Sequence, residues 1–72
     1  MRKIRYGVIG LGRFGVMHCE ALAGLDQATL YALCTRRPAR LQELAQRFSV
    51  AHTYTDYSAM LANPDIDAVS VV

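Results

Sequence analysis

Apolar and polar positions alternate in blocks along the 72 residues, and the period of each block predicts an element. The short apolar stretch Ile4–Ile9 reads as a strand. Beyond a glycine-rich turn, Phe14, Met17, His18, Ala21, Leu22 and Leu25 recur three and four apart, which predicts a helix with those residues on its apolar face. Gly24 is placed to end it. Asp26 and Gln27 separate this helix from Ala28–Cys34, a nearly continuous apolar run of the kind a central parallel strand buried on both faces requires. Pro38 suits the first turn of a second helix. There Leu41, Leu44, Ala45 and Phe48 fall at i, i+3, i+4 and i+7, while Arg40, Gln42, Glu43, Gln46 and Arg47 take the wet side. Residues 51–54 form a short strand candidate. Thr55 or Asp56 caps a short helix through Leu61, with Tyr57, Met60 and Leu61 as its inner face. Asn63-Pro64-Asp65 is a turn, and residues 68–72 read as a fourth strand.

The order β-α-β-α-β-α-β with short connections predicts an α/β fold with right-handed crossovers. The expectation is a Rossmann-type three-layer arrangement around a parallel sheet of order 3-2-1-4, present as an incomplete first half. The first two helices should lie on one face and the third on the other. A ligand should sit at the switch point between strands 1 and 4. The apolar fourth strand leaves an open edge, so self-association through that edge or the uncovered sheet face is expected.

The turn after the first strand is Gly10-Leu11-Gly12-Arg13-Phe14-Gly15, and the context of strand, glycine turn and helix gives each glycine a reason. Gly10 permits the tight turn. Gly12 lets a pyrophosphate approach the backbone, and Gly15 lets the helix pack close to the strand. The free N–H groups of the helix start supply an anion site, to which the Arg13 guanidinium could add. The six residues Gly10, Leu11, Gly12, Arg13, Phe14 and Gly15 are therefore candidate dinucleotide-binding positions.

The second strand bears on which dinucleotide. An acidic residue at its end accepts hydrogen bonds from the ribose hydroxyls of NAD. Here Thr35 stands in that place, followed by Arg36 and Arg37. A hydroxyl and two guanidinium groups welcome a 2′-phosphate that a carboxylate would repel. Arg37 also occupies the N-cap position before Pro38 and is a poor cap, so a phosphate there would satisfy the helix N–H groups. Thr35, Arg36 and Arg37 thus favour NADP, with NAD possible. The plain alternative, in which the two arginines form a solvated turn, leaves the choice open.

Composition narrows the rest. A net charge of +2 is too small to argue for nucleic acid, and Arg5, Arg13, Glu20 and Asp26 interrupt every apolar run that could cross a membrane. The start Met1-Arg2-Lys3-Ile4 reads as the first strand without a signal-type stretch, which suggests a cytoplasmic protein. Cys19 and Cys34 lack metal-type spacing and read as buried free thiols. His18 is expected to be a hydrogen-bonded structural histidine, and His52 to be exposed. Asp56 reads as a helix cap, and Asp65 and Asp67 flank a turn without the further ligands a metal needs. Tyr54 and Tyr57 read as packing residues rather than as an adenine-side lining. Ser70 has no base beside it.

Residues 4–15 with His18, Tyr54-Thr55-Asp56-Tyr57, and Asp65-Ile66-Asp67-Ala68-Val69 together resemble the Gfo/Idh/MocA family of oxidoreductases. The resemblance runs over essentially the whole chain. It implies a protein several times longer, with residues 1–72 as the N-terminal part of an NAD(P)-binding domain and a C-terminal domain that binds a sugar, polyol or similar small molecule. The lysine of a Glu-Lys-Pro motif and a later Asp and His, the family's catalytic groups, would lie beyond residue 72. No catalytic residue is therefore assigned, and this chain alone is expected to be inactive. A homo-oligomer is expected. Two other readings fit the same fold: a non-catalytic dinucleotide sensor or assembly unit, and a methyltransferase, which Thr35 disfavours.

Overall fold

The computed structural model describes residues 3–72; Met1 and Arg2, read above as part of the first strand, lie outside the described residues. The elements are β1 (Ile4–Ile9), α1 (Arg13–Ala23), β2 (Ala28–Cys34), α2 (Pro38–Phe48), β3 (His52–Tyr54), α3 (Tyr57–Leu61) and β4 (Ala68–Val71). All four strands run parallel in the order β3-β2-β1-β4, as the alternating pattern predicts. On one face Val8 and Leu33 of the sheet form a core with Cys19 and Leu22 of α1 and Leu41 and Leu44 of α2. On the other face Met60 of α3 packs with Ala32 and Cys34.

The inner face of α1 is not the one the sequence pattern indicates. Gly15, Cys19 and Leu22 are its buried residues. Phe14, Met17 and Leu25 are exposed, Phe14 by 72%, and Ala21 is exposed as well. The helix is turned by about a quarter of a revolution from the expected face, at about 100° per residue. The cause is Gly15, which carries no hydrophobic signal yet makes the closest approach to the strand. The inner face of α3 is likewise narrower than expected. Met60 is fully buried, whereas Tyr57 and Leu61 are exposed, because a helix of five residues brings one side chain squarely onto the sheet.

α2 follows its pattern, with Leu41 and Leu44 buried and Ala45 and Phe48 partly so. It closes on Ser49, whose left-handed backbone (φ 56°, ψ 43°) directs its N–H to the carbonyls of Ala45 and Gln46. β2 is buried over Ala32, Leu33 and Cys34 and half-buried over Thr29, Leu30 and Tyr31. Its register against β1 slips between Tyr6 and Gly7, which pair with Leu30 and Ala32 and leave Tyr31 as the extra residue. The Tyr31 ring stacks on exposed His52 at 4.3 Å, and the Arg5 guanidinium lies 5.6 Å from its centroid.

Asp67 ties the outer strand to the central one. Its Oδ2 accepts the Arg5 N–H at 2.8 Å, and its own N–H donates to the Arg5 carbonyl at 2.8 Å. The Arg5 side chain then approaches Asp67 at 3.6 Å and Asp65 at 3.9 Å. The turn before β4 is held by Asn63, whose Oδ1 accepts the Asp65 N–H at 2.9 Å.

Candidate functional site

In a parallel sheet every helix starts near the C-terminal ends of the strands, so the helix starts and the strand ends converge on one edge. Gly10, at the end of β1, has φ +93°, and a Cβ there would stand 2.5 Å from the Val72 carbonyl oxygen. A Cβ at Gly15 would collide with the Gly10 carbonyl oxygen, so α1 sits as close to β1 as glycine alone allows. Gly12 differs, since a Cβ there would meet nothing within 4 Å. The first and third glycines are required by the chain itself, and the second faces open space.

Gly12 is the N-cap of α1 and Arg37 that of α2, and neither helix has a side-chain cap or an acidic residue in its first turn. Thr35 is half-buried, its N–H donating to the Tyr54 carbonyl at 3.1 Å and its Oγ1 accepting the Arg37 N–H at 3.4 Å. Arg36 and Arg37 are exposed. Thr35, Arg36 and Arg37 border a cleft of about 720 Å³, together with Ile9, Gly10, Cys34, Thr55, Asp56 and Tyr57, whereas Gly12 and Gly15 are not in its lining. That size falls within the usual range for small-molecule pockets.

Other members of the expected set lie around this cleft rather than in its lining. The Leu11 side chain is 3% exposed and belongs to the core, so only its backbone faces the turn. Arg13 and Phe14 are exposed at the start of α1. Arg40, expected on the wet side of α2, instead reaches back to the glycine turn, where its Nε donates to the Leu11 carbonyl at 3.2 Å. Its Nη1 meets Glu43 Oε1 at 3.0 Å.

Asp56 caps α3, as expected, accepting the Ser58 N–H at 3.0 Å, and it also lines the cleft. Its capping role carried that information, because a cap marks a helix start and all helix starts share this edge. Tyr54 packs, with its hydroxyl accepting from Asn63 Nδ2 at 2.9 Å. Tyr57 does not pack as expected: it is exposed and borders the cleft. His18 is half-buried, but its side chain makes no hydrogen bond to another described residue, contrary to expectation.

Cys19 and Cys34 are free and buried. Burial pushes the Cys19 thiol up to about 11, with Arg47 opposing and Glu20 adding to the shift. Burial, then the nearby Asp56 carboxylate, raises Cys34 as well. Both thiols are therefore held protonated and unreactive at neutral pH. No helix among the described residues is long and apolar enough to cross a membrane.

Residues 4–72 match the model of the Gfo/Idh/MocA oxidoreductase family, NAD-binding Rossmann fold. The chain is 43% identical over 68 residues to a myo-inositol 2-dehydrogenase of Thermotoga maritima, covering 94% of this chain and 20% of that protein. It superposes with a TM-score of 0.92 on scyllo-inositol dehydrogenase of Lactobacillus casei solved with NAD(H) and scyllo-inositol, at 33% identity over 99% of this chain and 21% of that one. A variant of a 3-ketoreductase of Actinomadura kijaniata, solved with NADP, gives a TM-score of 0.88 at 31% identity over 97% of this chain and 22% of that one. The chain spans about a fifth of the length of the curated relatives it matches. By this match and this architecture, the chain belongs to the Gfo/Idh/MocA family of oxidoreductases, whose NAD-binding Rossmann fold it forms over residues 4–72.

Proposed function

We propose that residues 1–72 are the dinucleotide-holding part of an NAD(P)-dependent oxidoreductase acting on a sugar, polyol or similar hydroxyl- or carbonyl-bearing compound, and that this protein prefers NADP. The substrate class rests on the inositol dehydrogenases among its relatives. Substrate contacts and catalytic groups are assigned to a domain outside these residues. The bound nicotinamide supplies or accepts the hydride, and this chain contributes orientation and electrostatics.

The observation that carries the cofactor reading is the cleft at the end of β2, which joins Thr35, Arg36 and Arg37 to the uncapped start of α2. The pyrophosphate would lie over Gly12, where the backbone is open, against the N–H groups of Arg13 and Phe14. The adenosine 2′-phosphate would meet Thr35 and the two arginines. Asp56 shares the cleft, but its carboxylate is engaged by the Ser58 N–H, and two guanidinium groups outweigh it in charge.

Titration with NADPH and NADH tests this. NADPH is expected to bind more tightly, and Arg36→Ala to weaken NADPH by about tenfold while leaving NADH nearly unchanged, as for the loss of one charge-assisted hydrogen bond. Equal or tighter NADH binding overturns the NADP preference alone. Absence of binding for both overturns the dinucleotide reading.

A further inference from the structure

We infer that Arg40 is a positioning residue for the dinucleotide site, holding the glycine turn in the shape that presents the helix N–H groups to an anion. The inference rests on the dinucleotide reading above. Gly10 and Gly12 flank Leu11, so the turn between β1 and α1 has little steric stiffness of its own. Around Gly12 the protein offers no packing, since a Cβ there would meet nothing within 4 Å.

Two contacts hold the middle of the turn. One is the Leu11 side chain, sunk in the core. The other is the bond from Arg40 Nε to the Leu11 carbonyl, made across 29 residues of sequence. The carbonyl of Leu11 and the N–H of Gly12 belong to one planar trans peptide. Fixing the carbonyl therefore orients that whole unit, while the Val16 N–H, which donates to the Gly12 carbonyl at 3.0 Å, holds the next one, so that Gly12 keeps the extended conformation (φ −76°, ψ −164°) from which α1 starts. The direction of the next N–H groups, those of Arg13 and Phe14, follows.

Arg40 is itself held. Glu43, one turn further along α2, takes its Nη1 at 3.0 Å, and the side chain is only 34% exposed. It does not border the cleft with Thr35, Arg36 and Arg37. Its influence should thus fall on the pyrophosphate, which NAD and NADP share, and not on the 2′ position that distinguishes them.

The test compares Arg40→Ala and Arg40→Lys with the unaltered full chain. Two readouts are used: the Kd for NADPH and NADH, and amide exchange without ligand at Val16, whose N–H donates to the Gly12 carbonyl at 3.0 Å. Arg40→Ala is expected to raise both Kd values by about tenfold with their ratio unchanged, and to speed exchange at the Val16 amide by a similar factor. Arg40→Lys, which keeps a cationic donor, is expected to recover part of both. A changed NADPH-to-NADH ratio would show that Arg40 touches the 2′ group and overturns the inference. So does unchanged binding with unchanged exchange. If the unaltered chain binds neither dinucleotide, the functional reading falls separately, and exchange at the turn still decides whether Arg40 holds it.

Discussion

Thr35 directly follows the last residue of β2, and the proposed NADP preference rests on its hydroxyl together with Arg36 and Arg37. Thr35→Asp is predicted to weaken NADPH binding and strengthen NADH binding, moving the ratio of their Kd values by about tenfold or more. Parallel titrations read that ratio directly. Cys19 gives a prediction in pH. Its folded thiol titrates near 11 against 9.0 for a free one. Between these values the unfolded chain has already lost its proton while the folded chain keeps it. Folding stability from this group is thus fully present below 9.0 and is lost as pH rises towards about 11. Urea midpoints at about pH 8 and about pH 11 should fall further apart in the unaltered chain than in Cys19→Ala. At this scale Gly10, Gly15 and the cap at Asp56 were legible, because each is the residue type its local geometry demands. Arg40 was not. A charged residue on an amphipathic helix is assigned to solvent by pattern, and nothing in the spacing reveals that its long stem carries the guanidinium back across 29 residues.

At the scale of the elements, α2 carries the clearest signal and holds the most dependent packing. Leu44 is 1% exposed, so Leu44→Ala is expected to cost about 2–5 kcal/mol, a large part of the stability of an ordinary domain. Chemical denaturation measures it. The end of the same helix invites the opposite change. Ser49 holds a left-handed backbone that glycine adopts freely, and Ser49→Gly should stabilise by about 0.5–1 kcal/mol, seen as a raised thermal midpoint. The sequence pattern located every element yet misjudged the inner faces of α1 and α3. Periodicity counts apolar side chains, whereas α1 is seated by Gly15, a residue with none, and α3 is too short to bury what its pattern offers. The slip at Tyr31 was also invisible in a run that reads as uninterrupted strand.

For the whole molecule, the parallel order and the two-sided helix layers follow from alternation and chain handedness alone, which is why they were legible without any detail of packing. What covers the remaining apolar surface was not legible. Phe14 and Met17 on α1, Tyr57 and Leu61 on α3, and Val71 and Val72 at the end of the chain are all exposed, and among the described residues β4 pairs with β1 alone. The 72 residues by themselves are therefore predicted to self-associate, with a sedimentation coefficient that rises with concentration. A concentration-independent monomer would contradict this.

The double link between Arg5 and Asp67 reaches across 62 residues, and the Ile9 carbonyl takes the Val72 N–H at 3.0 Å. β1 is therefore made before the other three described strands, yet its second neighbour, β4, emerges after both β2 and β3. Loop closure over that distance delays its second row of hydrogen bonds. During synthesis, an unfinished Ile4–Ile9 edge must wait, open to wrong partners, until Asp67 arrives to claim Arg5.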